Sequence, residues 1–321
     1  MEGLVQITKI TKSEIKGITS CTLYDSGEME ECRVNQYNKI NTKYGQLIPF
    51  YEELGIRRKD KSSFSLYING NLKSISLNEQ TEINTTFGKF PAEFITFYES
   101  GAINSLFPLD GKLSFSWSEE EEGRLVEKFL FKTKAGDFSA KINGLRFYEN
   151  GSIRSIILWP GEIVEMNSPA GRIPVRNGFK LYENGKLESL EPAYPFEVKT
   201  PIGSIKGYDS SAIGADADKN SLRFDQMGNV MSIATTGEVN IKNKITGKTD
   251  YLASRLRIGL MDDDYVKIPL IFSFYKDKVV IDDGEKKYEW QLDETDMVIE
   301  YDCSLGISSC YGNCADCQGC S

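Results

Sequence analysis

The chain has 321 residues, of which 38 are Lys or Arg, 47 are Asp or Glu and none is His. This length is sufficient to bury a core, and the net charge of -9 argues against a nucleic-acid partner, because phosphate binding needs a basic stripe. The absence of histidine excludes Ser-His-Asp and Cys-His catalysis and every His-containing metal site. Any metal would have to be held by thiolates or carboxylates.

The sequence contains no apolar run of about 18 residues, the length that a membrane-spanning helix requires. The first residues, MEGLVQITKITKSEIKG, lack the uninterrupted apolar stretch and small-residue cleavage site of a secretory signal. We therefore expect no membrane span and a cytoplasmic location, where thiols stay reduced.

One motif recurs along the first part of the chain, as in LYINGNLKSI and LYENGKLESL. Each copy has a central glycine, with Leu or Phe four residues before it, and most copies have Ser four residues after it. The glycines are Gly27, Gly70, Gly101, Gly151, Gly185 and Gly228. A tyrosine follows the Leu or Phe in most copies, as Tyr24, Tyr67, Tyr98, Tyr148 and Tyr182. We expect these tyrosines to stack strand upon strand as a ladder.

A second motif alternates with the first, as in TTFGKF and TPIGSI. Its glycines are Gly45, Gly88, Gly136, Gly171 and Gly203. The first motif predicts a hairpin loop with a glycine bulge, because glycine occupies the position that needs positive φ. The second motif predicts another turn type, with glycine late in the turn. The alternation predicts an all-β fold over residues 1–249, an antiparallel meander of repeated hairpins in an elongated or curled repeat sheet.

The hairpin sequences YENGKLES and FYENGSIRS resemble the YENGKLK-type hairpin of MORN-variant repeats. The chain lacks the second glycine cluster of the standard MORN unit, and its repeats are longer. The resemblance implies an elongated β-sheet scaffold. For function it implies only binding or organisation of other molecules.

A first insertion interrupts the array at about residues 49–62. It contains a basic group, Arg57, Arg58, Lys59 and Lys61. We interpret this group as the tip of a solvated loop. An acidic partner or a phosphate bound by these side chains is the alternative.

A second insertion covers about residues 108–130. Ser118 and Glu121 have the spacing of a capping box and predict a helix over residues 119–129. We interpret the glutamates at 119 to 122 as the solvated first turn of this helix, where the helix dipole favours negative charge. Attraction of a divalent cation by these glutamates together with Asp110 is the alternative.

The repeat pattern fades after residue 250, and residues 250–302 predict a terminating β unit that closes the edge of the array. Within this unit, Asp283 and Gly284 predict a hairpin turn between the strand at 280–281 and the strand at 288–290.

The last segment, residues 303–321, contains five of the seven cysteines. Their positions are Cys303, Cys310, Cys314, Cys317 and Cys320. The short gaps predict that Cys310, Cys314, Cys317 and Cys320 bind an iron–sulfur cluster, with Cys303 as a further candidate ligand. Structural zinc is an alternative, although zinc sites usually separate two Cys-x-x-Cys pairs more widely. A metal-free, redox-reactive tail is the third possibility. The two remaining cysteines belong to the array, where Cys32 occupies a position filled by Ile or Leu in other copies and is predicted to be in the core.

These observations favour a non-enzymatic scaffold that binds a protein partner and carries a thiolate metal site in its tail. A redox or cluster-carrier protein, whose repeats dock a partner, is the alternative. An enzyme that uses clustered carboxylates on one face of the sheet is the third hypothesis. It is the least favoured, because no carboxylate pair recurs at fixed spacing.

Overall fold

The computed structural model describes residues 9–212, 220–258 and 265–301. These residues form antiparallel strands, one short α-helix, α1 (Glu119–Arg124), and a 3-10 turn at Lys12–Glu14. This confirms the predicted all-β meander. The chain folds into two compact units. Among the described residues, unit 1 consists of 9–130, 139–159 and 183–185, and unit 2 consists of 131–138, 160–182, 186–212, 220–258 and 265–301.

The strands in the first half of the chain belong either to the main sheet or to separate two-stranded hairpins. They are β1 (Ile18–Leu23), β2 (Met29–Val34), β3 (Ile40–Thr42), β4 (Gly45–Leu47), β5 (Phe64–Leu66), β6 (Leu72–Thr85), β7 (Gly88–Phe97), β8 (Ile103–Phe107), β9 (Phe129–Thr133), β10 (Gly136–Ala140), β11 (Ile142–Phe147) and β12 (Ile153–Leu158). In unit 1 the main sheet has the order β1-β2-β5-β6-β7-β8-β11-β12, and β3 and β4 form a separate hairpin.

The remaining strands lie in the second half of the chain. Its strands are β13 (Val164–Ser168), β14 (Gly171–Leu181), β15 (Leu187–Pro192), β16 (Phe196–Thr200), β17 (Gly203–Gly207), β18 (Leu222–Phe224), β19 (Val230–Thr235), β20 (Glu238–Asn243), β21 (Thr249–Leu252), β22 (Arg255–Ile258), β23 (Tyr265–Ile268), β24 (Leu270–Phe274), β25 (Lys278–Asp282), β26 (Lys287–Gln291) and β27 (Thr295–Glu300). In unit 2 the main order is β14-β15-β18-β19-β24-β25-β26, with β13 paired to β14.

The first motif forms the hairpin turns of the main sheet, with the predicted glycine bulge. In the turn at Gly70, the backbone N–H of Gly70 donates to the carbonyl of Tyr67, and the N–H of Tyr67 donates to Asn71, both at 2.8 Å. Gly70 has φ of +85°, which a side chain would disfavour. The strand register shifts beside this turn, between Ser65 and Leu66. The prediction that glycine occupies the position with positive φ, next to a bulge, is therefore confirmed.

The second motif forms the tips of the other hairpins, and a hydroxyl residue closes each turn. In the turn between β6 and β7, Thr85 Oγ1 donates to the carbonyl of Gly88 at 2.7 Å and accepts from the N–H of Phe87 at 3.2 Å. The same closure recurs in the other copies, through Thr42, Thr133, Ser168 and Thr200. The Thr or Ser three residues before the glycine is therefore as much a part of this turn as the glycine.

The hairpins of the second motif bury an apolar pair just behind their tips. Ile83 pairs with Phe90 across the β6–β7 hairpin, and Val198 pairs with Ile205 across β16–β17. All four side chains are at most 3% exposed. Each hairpin therefore contributes its own pair to the core, which explains why its apolar residues alternate with polar ones.

The tyrosines of the first motif connect consecutive repeats by hydrogen bonds. Tyr67 donates its hydroxyl to the carbonyl of Phe97 at 2.7 Å, and Tyr98 donates to the carbonyl of Phe147 at 2.8 Å. The same contact links Tyr24 to Leu66 and Tyr182 to Phe224. The predicted ladder exists, but its rungs are these hydroxyl-to-carbonyl bonds, which bind each turn to the strand of the following repeat.

Loss of one such hydroxyl should weaken the array measurably. We expect Tyr98→Phe to lower the free energy of unfolding by about 1 kcal/mol, because the carbonyl of Phe147 loses a donor while the ring is kept. Urea denaturation measures the change. Tyr37→Phe, at an exposed ring, is the matched control and should change stability by less than about 0.5 kcal/mol. Equal losses in both variants would contradict the bridging role.

The serines that follow the first-motif glycines form a polar row across each main sheet. In unit 1 the register aligns Ser65, Ser74, Thr96, Ser105, Arg146 and Ser155 on successive strands. In unit 2 it aligns Lys180, Ser189, Arg223, Ser232 and Ser273. Four serines of these rows are buried, since Ser65, Ser105, Ser155 and Ser189 are 5%, 8%, 0% and 2% exposed, so the rows place small hydroxyl side chains at buried positions of both sheets.

The C-terminal strands pair with strands of the repeat region. β24 pairs with β19, and β27 pairs with β20, so strands from both sides of residue 250 share sheets. The hairpin predicted at Gly284 is present, with Ile281 opposite Tyr288. Its second strand, β26, is the last in the described order and exposes Lys287 and Glu289. Such charged side chains discourage edge-to-edge pairing.

Candidate functional site

The five cysteines of the predicted metal site, Cys303, Cys310, Cys314, Cys317 and Cys320, lie outside the described residues. Their role as ligands therefore stays a prediction. Within the described ranges, no three Cys, Asp or Glu side chains are grouped so that they could hold a metal ion. Nor does any helix in these ranges have the length and apolarity to cross a membrane.

The two cysteines of the array form a disulfide between β1 and β2. Cys21 and Cys32 are opposite each other in the strand register, and their Cα atoms are 4.1 Å apart. Cys32 is 1% exposed, which confirms its predicted place in the core. The bond differs from the expectation that thiols stay reduced. The register makes the bond possible, because it brings together two residues eleven positions apart in sequence.

The main cluster of charged side chains lies where the two insertions meet in unit 1. Arg58 and Gly111 form an isolated antiparallel bridge between them. On its two sides, the N–H of Lys112 donates to the carbonyl of Arg57 at 2.6 Å, and the N–H of Lys59 donates to the carbonyl of Asp110 at 3.4 Å. The two segments, far apart in sequence, therefore form one small structural element, which we name the insertion clamp.

Arg57 is the centre of the insertion clamp. Its guanidinium donates two hydrogen bonds to Glu93, at 2.8 and 2.9 Å, and two to Glu122, at 2.7 and 2.9 Å. Burial alone would lower the pKa of Arg57, but the hydrogen bonds to the two carboxylates outweigh it, so that the pKa lies above its ordinary value. The basic group is therefore not a solvated loop tip, as the sequence suggested, and its acidic partners belong to the same chain.

Asp110 is the second acidic centre of the clamp. Lys61 Nζ lies 2.7 Å from its Oδ2, and Lys59 Nζ lies 3.8 Å from its Oδ1. The N–H of Asp110 in turn donates to Glu93 Oε2 at 2.8 Å, which links the two carboxylates into one network. Burial lowers the pKa of Lys61, and the charge of Asp110 opposes this shift. Lys61 also lies over the ring of Phe94, 3.2 Å from its centroid.

The helix of the second insertion carries the third carboxylate, Glu122. The predicted capping box is present, since the N–H of Glu121 donates to Ser118 Oγ at 3.2 Å and Glu121 accepts from the N–H of Ser118 at 2.7 Å. Trp117 Nε1 donates to Glu122 at 2.6 Å. The expectation of four solvated glutamates is therefore wrong for Glu122, which is 2% exposed.

The helix is shorter than predicted. It ends at Arg124, and Leu125 is its C-cap, whereas the sequence suggested a helix to residue 129. Phe129 is not part of the helix because it begins β9. Its ring packs there on Phe90, with centroids 5.6 Å apart. Leu125 and Phe129, which a helix to residue 129 would place one turn apart, are instead divided between the helix cap and a strand.

The clamp combines four cations with three buried carboxylates. The cations are Arg57, Arg58, Lys59 and Lys61, and the carboxylates are Glu93, Asp110 and Glu122. Every one of these carboxylates has a cationic partner within 4 Å. Such an arrangement holds the two insertions in place. Moving an insertion away would separate these ion pairs and leave an unpaired charge in a buried environment, which is costly. Glu93 was not identified from the sequence, and its only signal is a carboxylate within the apolar strand segment PAEFITF.

The insertions carry large apolar side chains on their outer surface. Ile56, Leu113 and Phe115 are 66%, 53% and 111% exposed, and Leu125 follows the helix at 48%. Ile56 and Leu113 each lie two positions from a residue of the bridge between Arg58 and Gly111. Glu119 and Glu120 are exposed nearby in sequence, on the first turn of the helix. We name these side chains the insertion surface.

Comparison with known proteins does not identify a relative. No protein-family model matches the chain, no curated protein is significantly similar to it, and no solved structure matches it. The resemblance of the hairpins to MORN-variant repeats therefore stays a prediction.

Proposed function

We propose that the protein is a non-enzymatic, cytoplasmic β-repeat scaffold that binds a protein partner through the insertion surface and carries a thiolate metal site in its C-terminal tail. The observation that carries this proposal is the insertion clamp. It fixes two interruptions of the repeat against the sheet while Ile56, Leu113 and Phe115 remain exposed. Large apolar side chains held in place by a rigid support are typical of interaction sites.

The partner should present an apolar surface bordered by positive charge. Phe115 and Leu113 would supply the apolar contact area, and aromatic side chains often dominate such interfaces. Glu119, Glu120 and Glu121 are exposed in the first turn of α1 and would attract cations. We expect binding to weaken as salt is raised, since exposed charges are screened.

Photo-crosslinking tests this surface directly. With p-benzoylphenylalanine at position 115, we expect a discrete crosslinked product of one partner in extract of the source cells. The same group at position 68 is the matched control, because Ile68 is also exposed, at 54%, but lies in a repeat turn. Identical products from both positions, or none from position 115, would contradict the proposed surface.

The tail is proposed to bind an iron–sulfur cluster through Cys310, Cys314, Cys317 and Cys320, with Cys303 as a further candidate ligand. The proposal rests on their short spacing, which allows one segment to direct several thiolates at one cluster. Zinc is the alternative, since four thiolates also satisfy its tetrahedral preference. A bound cluster would supply electron transfer or cluster delivery, which is the function of the tail in the redox or cluster-carrier alternative.

Anaerobic purification distinguishes these states of the tail. We expect a brown protein with cluster absorption in the visible range, and Cys314→Ser should abolish that absorption and the bound iron. Cys21→Ser is the matched control, because Cys21 is in the array disulfide and should not affect metal content. A colourless protein with one bound zinc would support the zinc alternative, and a metal-free protein would refute the metal site.

A further inference from the structure

Unit 2 contains a buried carboxylate, Glu191, that the proposed function does not use. Glu191 is on β15 and is opposite Arg176 of β14 in the strand register. It is 1% exposed. A carboxylate in such a position needs charged partners or several hydrogen bonds to remain ionised.

The contacts of Glu191 are few for a buried charge. Its Oε2 accepts one backbone hydrogen bond, from the N–H of Ser221 at 2.8 Å. Its Oε1 lies 3.8 Å from Arg176 Nη2, beyond hydrogen-bond distance. That nitrogen instead donates to the carbonyl of Asp209 at 2.5 Å, and the guanidinium lies 4.9 Å from the ring centroid of Tyr208.

Three buried polar atoms at this place have no hydrogen-bond partner among the described residues. They are Glu191 Oε1, Arg176 Nε and Ser221 Oγ. Buried polar atoms are nearly always paired, so a group of three indicates that the site is completed by something else. A proton on Glu191 removes the buried charge and converts one acceptor oxygen into a donor, while Arg176 Nε, itself a donor, still lacks an acceptor.

We propose that Arg176, Glu191 and Ser221 form a proton-binding site, in which Glu191 takes a proton from solvent and the neutral acid fits the folded unit better than the carboxylate does. The charged and titratable groups around it are Arg176 on β14 and Asp209 and Tyr208 after β17. Burial raises the pKa of Glu191 to about 7; the nearby Ser221 hydroxyl, the hydrogen bond from the N–H of Ser221 and the charge of Arg176 oppose the shift, and Asp209 adds to it.

Because the pKa of Glu191 is raised in the folded unit, the stability of unit 2 depends on pH. Between the ordinary pKa of 4.5 and about 7, the folded unit binds more protons at Glu191 than the unfolded chain does. The contribution of Glu191 to stability is therefore most favourable below pH 4.5 and is lost as the pH rises through 7. A shift of this size corresponds to roughly a 300-fold change in the folding equilibrium constant of unit 2.

Carbon-13 NMR of the full chain with labelled glutamate carboxyls tests the site without a substitution. We expect one carboxyl resonance to titrate with a midpoint near 7. That resonance should be missing in Glu191→Gln and present in Glu197→Gln, whose parent side chain is exposed on β16. Titration of every glutamate below pH 5.5 would overturn the proposal, whether or not the variants fold.

The pH dependence of the stability of unit 2 gives a second test of the proposal. Amide hydrogen exchange of β15 and β18, corrected for intrinsic rates, should show wild-type protection falling between pH 5.5 and 8. Glu191→Gln should remove most of this fall, and Glu197→Gln should retain it. Parallel curves for wild type and Glu191→Gln would also overturn the proposal.

Discussion

Arg57→Ala is expected to lower the free energy of unfolding by about 3–5 kcal/mol, the loss typical when one partner of a buried ion pair is removed. Arg57 makes four hydrogen bonds to Glu93 and Glu122, whose side chains are 8% and 3% exposed. Without Arg57, Glu93 and Glu122 lose their closest cation in a buried environment. Urea denaturation measures the loss.

The matched control is an exposed ion pair on the same insertion. Arg124 lies 2.7 Å from Glu120, but the two side chains are 69% and 79% exposed. Arg124→Ala should therefore cost less than about 0.5 kcal/mol. The double variant Arg57→Ala/Glu122→Ala should lose less than the sum of its single variants, because the second change removes one of the stranded charges. Strict additivity would contradict the insertion clamp.

Phe138→Ala is expected to lower the free energy of unfolding by a similar amount, about 3–5 kcal/mol. Phe138 lies on the β9–β10 hairpin of the second motif and is 8% exposed. Its ring stacks on Phe131 at 5.0 Å and meets Phe179 edge-on at 5.6 Å, measured between centroids. Removing the ring leaves a cavity and deletes both aromatic contacts.

Phe115→Ala is the matched control for this substitution, because the same side chain is fully exposed there, at 111%. It should change stability by less than about 0.5 kcal/mol. Thermal and urea denaturation of the two variants should therefore differ widely. If Phe138→Ala were as mild as Phe115→Ala, the second-motif hairpins would not contribute to the core as described.

The turns could be predicted from the sequence because their causes are local. Gly70 and Gly88 have φ of +85° and +140°, and both positions repeat along the chain. A single residue type at a fixed place reveals such a requirement without knowledge of the rest of the fold. The hydroxyl of Thr85 is equally local, and its recurrence before each second-motif glycine was a usable signal of turn closure.

The insertion clamp could not be predicted, because it depends on contacts between distant segments. Arg57 and Glu122 are 65 residues apart, and Arg57 and Glu93 are 36 apart. Charge runs such as residues 57–61 are usually solvated, and composition does not reveal which carboxylate will face them. Glu191 could not be predicted for the same reason. Its surroundings depend on the pairing of β14 with β15 and on its contact with Ser221 of a later segment.

The most direct test of the account compares two changes for binding to the partner identified by crosslinking. One variant lacks residues 303–321, and the other carries Leu113→Asp and Phe115→Asp. Isothermal titration calorimetry measures the dissociation constant of each full-length or truncated chain. The scaffold account predicts that tail removal leaves the constant within about twofold, while the double substitution weakens binding by more than about tenfold. Loss of binding with the tail, and normal binding by the double variant, would contradict it and favour the redox or cluster-carrier alternative.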